Sequence, residues 1–276
     1  MSAEKFFEQI TLFRCPACGA AFSRADNSLR CANGHTFDPS RKGYVHFLPN
    51  ANPSKYDAAL FEARRRILSF GFYDAVIDAI RTAIPSDAAV FLDAGCGDGT
   101  FAKRLCEGRT AIGLDLSKDA IQLAARGGGP ILWTVGDLTR LPVADNSVDV
   151  ILNLFSPAHY DEFRRVLKQN GRLLKLVPQS GYLQEIRALA ADRLKHGEYR
   201  NDAVVRHLAE QFHLIDQKRI TEQTAITEEQ ARDFLAMTPL TFGIDTESLD
   251  AKQLQTVTID VELLIAAKSS PQTADC

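Results

Sequence analysis

From residue 88 onward, the chain alternates short apolar runs with segments of helical periodicity. The runs are AVFLDA, TAIGLDL, ILWTVGD, SVDVILNLF and GRLLKLVP, and later FHLIDQKRI and QTVTIDVELLIAA. Repeated strand and helix units that are closed by two further strands are typical of a doubly wound α/β sheet. We therefore expect an α/β fold in which the last two strands form a hairpin-like pair that runs partly antiparallel.

The segment before this sheet contains two amphipathic patterns, near residues 57–69 and 73–83, with Gly71 between them. They predict two helices. The polar stretch NANPSKYD at residues 50–57 contains a proline, and we interpret it as a linker. Within the first pattern, Arg64, Arg65 and Arg66 are either a clamp for RNA or one charged helix face. Helical periodicity separates neighbouring residues by about 100°, so at most two of the three share a face.

The 276 residues are enough for one large domain or for a large and a small one. The hydrophobic share of 45% and the charged share of 24% are ordinary for globular proteins, which argues against disordered and fibrous classes. The first residues contain no apolar run of signal-peptide length, and no window reaches the roughly 18 to 20 apolar residues that span a bilayer. These features predict a cytoplasmic protein that does not enter a membrane.

Charge is distributed unevenly, although the net charge is only −3. Residues 1–66 carry a formal charge of +4, and the remaining residues carry −7. A net charge this small argues against a protein that simply coats nucleic acid. A basic amino-terminal segment joined to an acidic remainder is the asymmetry expected if the amino-terminal segment contacts phosphate groups.

A cluster near the amino terminus has the spacing C-x2-C-x12-C-x3-H, formed by Cys15, Cys18, Cys31 and His35. Pro16 and Gly19 shape the first half of the cluster, and Asn33 and Gly34 shape the second. These tight turns let the paired ligands converge on one tetrahedral ion at about 2.0 to 2.3 Å. Four protein ligands close the shell, and the cluster therefore predicts a structural zinc. The residues around His35 favour strand and loop over helix, which indicates a ribbon and not a DNA-reading finger. Reduced thiols fit this interpretation better than disulfides do.

The stretch LDAGCGDGT follows a predicted strand and begins a helix. Its glycines let the backbone turn sharply and approach a ligand, and the acid that precedes them is typical of S-adenosylmethionine sites. Acids also end the next two strands, where one carboxylate is placed to accept the ribose hydroxyls and the other to accept the adenine amino group. The candidate cofactor residues are Asp93, Gly95, Gly97, Asp98, Gly99, Asp115 and Asp137.

The order of these motifs resembles the 23S ribosomal RNA (guanine-N1-)-methyltransferases, a zinc-ribbon family that includes a tylosin-resistance enzyme. The resemblance rests on RCPACG, LRCANGHTFDPSRKGYVHFLP, EARRRIL, GFYDAVIDAI, LDAGCGDGT, LNLFSPA, FRRVLKQNGRLLKLVPQ and AMTPL, which span nearly the whole chain. It implies a zinc-ribbon RNA-recognition domain over residues 1–49, a linker and helices over 50–84, and a Rossmann-like class I methyltransferase domain over 85–276. The implied reaction moves a methyl group from S-adenosylmethionine to N1 of one hairpin-loop guanine in 23S rRNA.

The segment NLFSPA after the fourth strand of the sheet is expected beside the transferred methyl group. Asn153 and Ser156 are candidates to hydrogen-bond the base, and Phe155 is a candidate to stack on it. The alternative is that the two polar side chains cap a turn and Phe155 belongs to the core. Five cations of the ribbon are expected to contact the RNA backbone: Arg14, Arg24, Arg30, Arg41 and Lys42.

Two other classes of protein remain as alternatives. One is a methyltransferase for a small molecule, in which the ribbon is a structural or interaction module. The other is a zinc-dependent interaction protein with an inactive methyltransferase fold, which the intact glycine loop and strand-end acids argue against. The identity of the guanine, a role in macrolide resistance, the general base and the assembly of a homodimer are left open by the sequence.

Overall fold

The computed structural model describes residues 3–48, 58–193 and 201–268. Its strands, in chain order, are β1 Phe22–Ala25, β2 Ser28–Cys31, β3 Thr36–Phe37, β4 Tyr44–His46, β5 Val90–Ala94, β6 Thr110–Asp115, β7 Leu132–Val135, β8 Val148–Leu154, β9 Leu167–Pro178, β10 His213–Ala225 and β11 Thr256–Ala267. The first three form a small antiparallel sheet. The other eight form one large sheet in the order β10-β11-β9-β8-β5-β6-β7-β4.

The helices of the described residues, in chain order, are α1 Glu4–Glu8, α2 Ala58–Ser69, α3 Asp74–Ala83, α4 Thr100–Leu105, α5 Lys118–Ala125, α6 Tyr160–Val166, α7 Gln184–Leu189, α8 Asp202–Gln211 and α9 Glu228–Met237. Helices α2 and α3 confirm the two predicted amphipathic patterns, and Gly71 between them has a φ of +88°. Within the part of the chain that the structure describes, no helix is long and apolar enough to cross a membrane.

The large sheet confirms the predicted doubly wound arrangement. Strands β9, β8, β5, β6, β7 and β4 are parallel neighbours, and β11 and β10 add an antiparallel edge. The strand order changes direction at β5, because the chain adds β6 and β7 on one side and β8 and β9 on the other. In sheets of this kind, ligands bind at the carboxyl ends of the strands where the order reverses.

Two apolar layers cover the sheet, one on each face. Consecutive residues of β5 point to opposite layers, with Phe91 in the layer formed by α2, α3, α5 and α9, and Leu92 in the other. The second layer contains α6 and α8. It also contains the large side chains of the amino-terminal unit, which are Phe6, Phe7, Phe13, Phe22, Leu29, Val45 and Phe47.

The amino-terminal unit is thus continuous with the core of the large sheet. Strand β4 lies within the predicted ribbon, yet it pairs in parallel with β7, so that Tyr44 lies opposite Trp133 and His46 opposite Val135. The domain boundary at residue 49 remains a prediction, and the predicted linker at 50–57 lies outside the described residues.

Polar contacts also fix the amino-terminal unit to the rest of the protein. Arg14 donates to Asp145 at 2.8 Å, and Lys5 donates to the carbonyl of Ile131 at 2.6 Å. Arg24 forms an ion pair with Glu4 at 2.6 Å within the unit. Both arginines were expected to contact RNA. Each has a carboxylate partner within this chain, and their contact with RNA remains a prediction.

The shared core predicts that the ribbon and the sheet unfold together. Phe47 is 2% exposed, and its ring centroid lies 5.1 to 6.1 Å from those of Phe13, Phe22 and Phe37. Replacing it by alanine is expected to lower the free energy of unfolding by about 3 to 5 kcal/mol, because a large buried ring leaves a cavity. Denaturant titration of Phe47→Ala, with the fluorescence of Trp133 in the sheet as the signal, measures this loss.

Phe70→Ala is the matched control, because Phe70 is 53% exposed. Its cost is expected to stay below about 1 kcal/mol. If Trp133 reported an unchanged midpoint for Phe47→Ala, the amino-terminal unit would be an independently folding domain.

Candidate functional site

The four predicted metal ligands converge at one point of the amino-terminal unit. One donor atom from each of Cys15, Cys18, Cys31 and His35 lies within 4.8 Å of all the others. Cys18 Sγ and Cys31 Sγ are 3.7 Å apart, and Cys31 Sγ is 3.3 Å from His35 Nδ1. Three sulfurs and one imidazole at these distances match the donor set and the tetrahedral shell that zinc prefers.

The two halves of the cluster are built alike. Gly19 donates its N–H to the carbonyl of Cys15 at 2.7 Å, and Gly34 donates to that of Cys31 at 2.9 Å. Both glycines have a positive φ, +75° and +85°, which a residue with a side chain rarely adopts. Hydrogen bonds from the N–H of Ala20, and then from Asn33, lower the pKa of Cys18 to about 6. These two donors therefore favour the thiolate of Cys18, which is the form that binds metal. At Cys15, burial raises the pKa to about 11.

The glycine-rich loop lies at the end of β5, where the strand order reverses. A Cβ atom on Gly95 would lie 2.0 Å from Ser156 Oγ, and one on Gly99 would lie 2.4 Å from the ring of Trp133. Positive φ values at Gly95 and Gly99 add a second reason for glycine. Helix α4 begins immediately after Gly99, at Thr100.

Asp93, the last acid before the loop, is 2% exposed. Its Oδ2 atom is buried and has no hydrogen-bond partner among the described residues. Burial, and then the nearby carboxylates of Asp115 and Asp98, together raise the pKa of Asp93 to about 8. A buried acceptor without a donor is costly, so this atom is suited to a ligand that brings a hydrogen-bond donor or a positive charge.

Asp115 ends the neighbouring strand β6 and connects it to the loop. Its Oδ2 accepts from the N–H of Gly97, and its Oδ1 accepts from that of Ser117, both at 2.8 Å. Burial raises the pKa of Asp115, whereas these backbone donors lower it. Each carboxylate oxygen has a second acceptor position, so the group retains capacity for a diol. Leu116, the next residue, is an apolar side chain with 52% exposure.

The other two acids of the predicted cofactor set make local hydrogen bonds. Asp98 accepts from the N–H and the hydroxyl of Thr100, at 3.2 and 2.7 Å, at the beginning of α4. Asp137 accepts from the N–H of Thr139 at 2.8 Å, and thereby caps a short turn after β7. Asp137 is half-buried, at the same edge of the sheet as Asp115. The structure brings all three strand-end acids to this edge.

Asn153 lies at the end of β8 and is fully buried. Its amide nitrogen donates to the carbonyls of Ala94 and Pro157, at 3.0 and 2.9 Å, and its oxygen accepts from Lys175 Nζ at 2.6 Å. Lys175 also donates to the carbonyl of Ser156 at 3.1 Å, and burial lowers its pKa to about 8. The amide is thus occupied by the protein, and the predicted contact between Asn153 and a base would require these bonds to break.

The sequence analysis missed Lys175. A lysine inside the apolar run GRLLKLVP is a signal that could have identified it, because a buried ammonium group requires fixed acceptors.

Phe155 and Ser156 face the loop. Phe155 has a φ of +54°, a strained conformation for a residue with a large side chain, and such strain persists where the surroundings enforce it. Its ring centroid lies 5.5 Å from that of Tyr182 and 6.0 Å from that of Tyr73, whose hydroxyls are 2.7 Å apart. The half-buried Phe155 ring therefore lies in an aromatic wall beside the glycine loop.

Comparisons with known proteins match both parts of this arrangement. Residues 13–54 match the family described as "RlmA, N-terminal", and residues 92–176 match "Methyltransferase domain". A protein of Bacillus subtilis (strain 168), provisionally named 23S rRNA (guanine-N(1)-)-methyltransferase YxjB, is 37% identical over 94% of this chain and 98% of its own. The chain belongs to the 23S rRNA (guanine-N1-)-methyltransferase family. It uses S-adenosylmethionine and zinc as cofactors.

Other relatives agree with this assignment. The 23S rRNA (guanine(748)-N(1))-methyltransferase of Streptomyces fradiae is 32% identical over 74% of this chain and 76% of its own. Among solved structures, the [4+2]-cyclase SpnF covers 72% of this chain and 82% of its own, with a TM-score of 0.51 and 20% identity. That likeness shows the fold alone.

The metal cluster gives the first prediction for this site. The purified protein is expected to carry one zinc per chain, and Cys18→Ser is expected to lose it, because a serine hydroxyl does not replace a thiolate ligand. Metal analysis by mass spectrometry measures the content. Cys106→Ala is the control, since this buried cysteine lies outside the cluster and its zinc content should stay at one. Zinc retained at full content in Cys18→Ser would contradict the assigned ligand set.

A second prediction concerns Asp115. Asp115→Ala is expected to weaken binding of S-adenosylmethionine by about 2 to 3 kcal/mol, because charge-assisted hydrogen bonds to the ribose are lost. Calorimetric titration measures the affinity. Asp119→Ala removes an exposed carboxylate four residues later and should leave the affinity unchanged. Unchanged affinity in Asp115→Ala would place the ribose elsewhere.

Proposed function

We propose that this protein transfers the methyl group of S-adenosylmethionine to N1 of a hairpin-loop guanine in 23S rRNA, in the cytoplasm, where ribosomal RNA is found. The observation that carries the proposal is that the cysteine and histidine cluster shares an apolar layer with Leu92 and Ala94 of β5, the strand that ends at the cofactor loop. Two relatives that match most of this chain are named for guanine-N1 methylation of 23S rRNA.

The proposed cofactor contacts follow from the strand ends. Asp115 accepts the ribose hydroxyls, and Asp137, at the end of the next strand, accepts the adenine amino group. Leu116 is exposed between them and offers an apolar surface to the adenine ring. Gly95 and Gly97 let the backbone approach the methionine part, and Asp93 provides the acceptor without a partner.

Neutral guanine carries a proton on N1, so transfer of a methyl group to N1 requires that this proton pass to solvent. Beyond that step, the chemistry asks mainly for alignment. S-adenosylmethionine supplies a methyl group that its positively charged sulfur activates for transfer. The enzyme has to hold N1 in line with that methyl group and exclude water. We assign stacking on the guanine to Phe155 and a hydrogen bond to the base to Ser156. Asn153 and Lys175 act as positioning residues, since they fix the backbone of the loop that carries both side chains.

A hairpin loop suits this geometry. The Watson–Crick edge of a guanine carries N1, and in a duplex that edge is blocked by pairing. A base in a loop can be unstacked at low cost and received by aromatic side chains. The aromatic wall around Phe155 provides such a surface.

The RNA backbone is assigned to three cations of the ribbon. Arg30, Arg41 and Lys42 are exposed. Their exposure on the surface of the predicted ribbon places them where phosphate groups can approach. The positive charge of the amino-terminal segment supports this assignment, because phosphate contacts release counterions and so drive association.

The direct test of the reaction uses 23S rRNA made by transcription in vitro, which carries no modified bases. After incubation with the protein and S-adenosylmethionine, nucleoside mass spectrometry is expected to find 1-methylguanosine, and Asp115→Ala should form far less. If neither the transcript nor intact large subunits gained this nucleoside, the proposed reaction would be wrong. Methylation of a small molecule would then become the better proposal.

A further prediction separates the roles of the ribbon and the loop. Replacing Arg30, Arg41 and Lys42 together by glutamine is expected to weaken binding of a 23S rRNA hairpin. The slope of log affinity against log salt should flatten by about 2 to 3, since each of the three lost phosphate contacts removes about 0.7 to 0.9. The affinity for S-adenosylmethionine should not change. RNA binding across a salt series and calorimetry of the same variant provide both values.

A triple glutamine variant at Arg206, Lys218 and Lys252 is the matched control. It removes the same charge from exposed positions in the carboxyl-terminal part of the chain. If both triple variants lowered RNA affinity equally, the ribbon would have no special role in binding.

A further inference from the structure

Helix α2 brings one arginine against the glycine-rich loop. A Cβ atom built on Gly97 would lie 3.8 Å from Arg64 Nη1 and 3.5 Å from the ring of Phe61. Burial raises the pKa of both Asp98 and Asp115, and the charge of Arg64 opposes that rise in each case. The guanidinium of Arg64 is therefore close enough to the cofactor loop to act on its acids.

The neighbouring arginines have different surroundings. Arg66 forms a two-pronged ion pair with Asp233 of α9, with distances of 2.5 and 2.8 Å, and Arg65 is exposed. Arg64 is half-buried, and within the described ranges it has no ion pair with a carboxylate. Among the described residues, Arg64 donates one hydrogen bond, to the carbonyl of Met237 at 3.4 Å. Long, single contacts of this kind leave most of the donors of a guanidinium available.

Two groups beside the glycine-rich loop thus have unused binding capacity, one as a hydrogen-bond acceptor and the other as a cation. Asp93 Oδ2 is a buried acceptor without a partner, and Arg64 is a half-buried cation without a carboxylate among the described residues. An α-amino acid zwitterion carries an ammonium group and a carboxylate on one carbon atom, and so complements both groups. S-adenosylmethionine has this zwitterion at its methionine end.

We propose that Arg64 binds the carboxylate of the methionine end of S-adenosylmethionine, opposite the ammonium group that Asp93 accepts. A guanidinium matches a carboxylate with two parallel N–H donors, which a single ammonium group does not reproduce. The inference rests on the proposed cofactor site, in which Asp115 and Asp137 hold the adenosine end. Arg64 then has a function in the cofactor site and not in an RNA clamp.

The test compares two ligands that differ in the amino acid part. S-adenosylhomocysteine has the zwitterion, whereas 5′-methylthioadenosine keeps the adenosine and lacks the amino acid. Arg64→Gln is expected to lower the affinity for S-adenosylhomocysteine about 10-fold to 100-fold. This is the loss typical of hydrogen bonds to charged groups. The affinity of the same variant for 5′-methylthioadenosine should change less than about 2-fold, because this ligand lacks the carboxylate that Arg64 would bind. A change of that size is ordinary for a substitution that removes no contact with the ligand. Calorimetry measures both, without RNA and without turnover.

Two variants serve as controls. Arg65→Gln removes an exposed charge from the next position and should leave both affinities unchanged. Arg64→Lys keeps the positive charge but lacks the two parallel N–H donors of a guanidinium. It should lose less affinity for S-adenosylhomocysteine than Arg64→Gln does. It also replaces Arg64→Gln in the comparison if thermal melting shows that the glutamine variant does not fold.

An equal loss for the two ligands would overturn the proposal, because it would mean that Arg64 only shapes the loop. Unchanged binding of both ligands would also overturn it, because Arg64 would then make no contact with the cofactor. If the unaltered protein bound neither ligand, the cofactor site itself would be wrong. A failure of the RNA assay alone would leave this comparison intact, because no RNA is present in it.

Discussion

The close approach of the ends of β5 and β8 is the constraint on which the site depends. Ser156 Oγ occupies the space where a side chain on Gly95 would begin, and Asn153 connects the two strand ends through the carbonyl of Ala94. Lys175 completes this connection from β9. A buried ammonium group and a buried amide satisfy each other here, and both would be costly alone. The loop that carries Phe155 is consequently held in a strained backbone conformation next to the glycine loop.

The amino-terminal unit depends on the same sheet in a different way. A small unit of this size cannot bury enough apolar surface by itself, and a metal is the usual supplement. Here the unit also shares an apolar layer with the sheet and extends it by the parallel strand β4. The cations of the ribbon are therefore held at a fixed position relative to the cofactor loop. A rigid connection of this kind lets one part hold a substrate while the other presents the reacting group.

The charged residues near the site fall into two groups, those that pair with each other within the chain and those that remain open to a ligand. Arg14, Arg24 and Arg66 have carboxylate partners within the chain, and their role is to fix elements to each other. Among the described residues, Arg64 has no carboxylate partner and Asp93 Oδ2 has no hydrogen-bond donor. A folded protein keeps buried or half-buried charges without partners only where something compensates for the cost. The contrast between these two groups of residues is the physical reason to look for a ligand at the glycine loop.

The sequence alone determined the features that depend on short spacing. The metal ligands, the turn glycines and the two helices before the sheet were predicted because each is encoded within about 20 residues, where chain geometry leaves few alternatives. Only the tertiary structure decided the rest. The pairing of β4 with β7, the enclosure of Asn153 by Lys175 and the position of Arg64 over Gly97 each join residues that are far apart in the chain. Such contacts leave no periodic pattern in the sequence, because they follow from how whole layers pack. The sequence also does not distinguish an arginine that binds a partner from one that faces water.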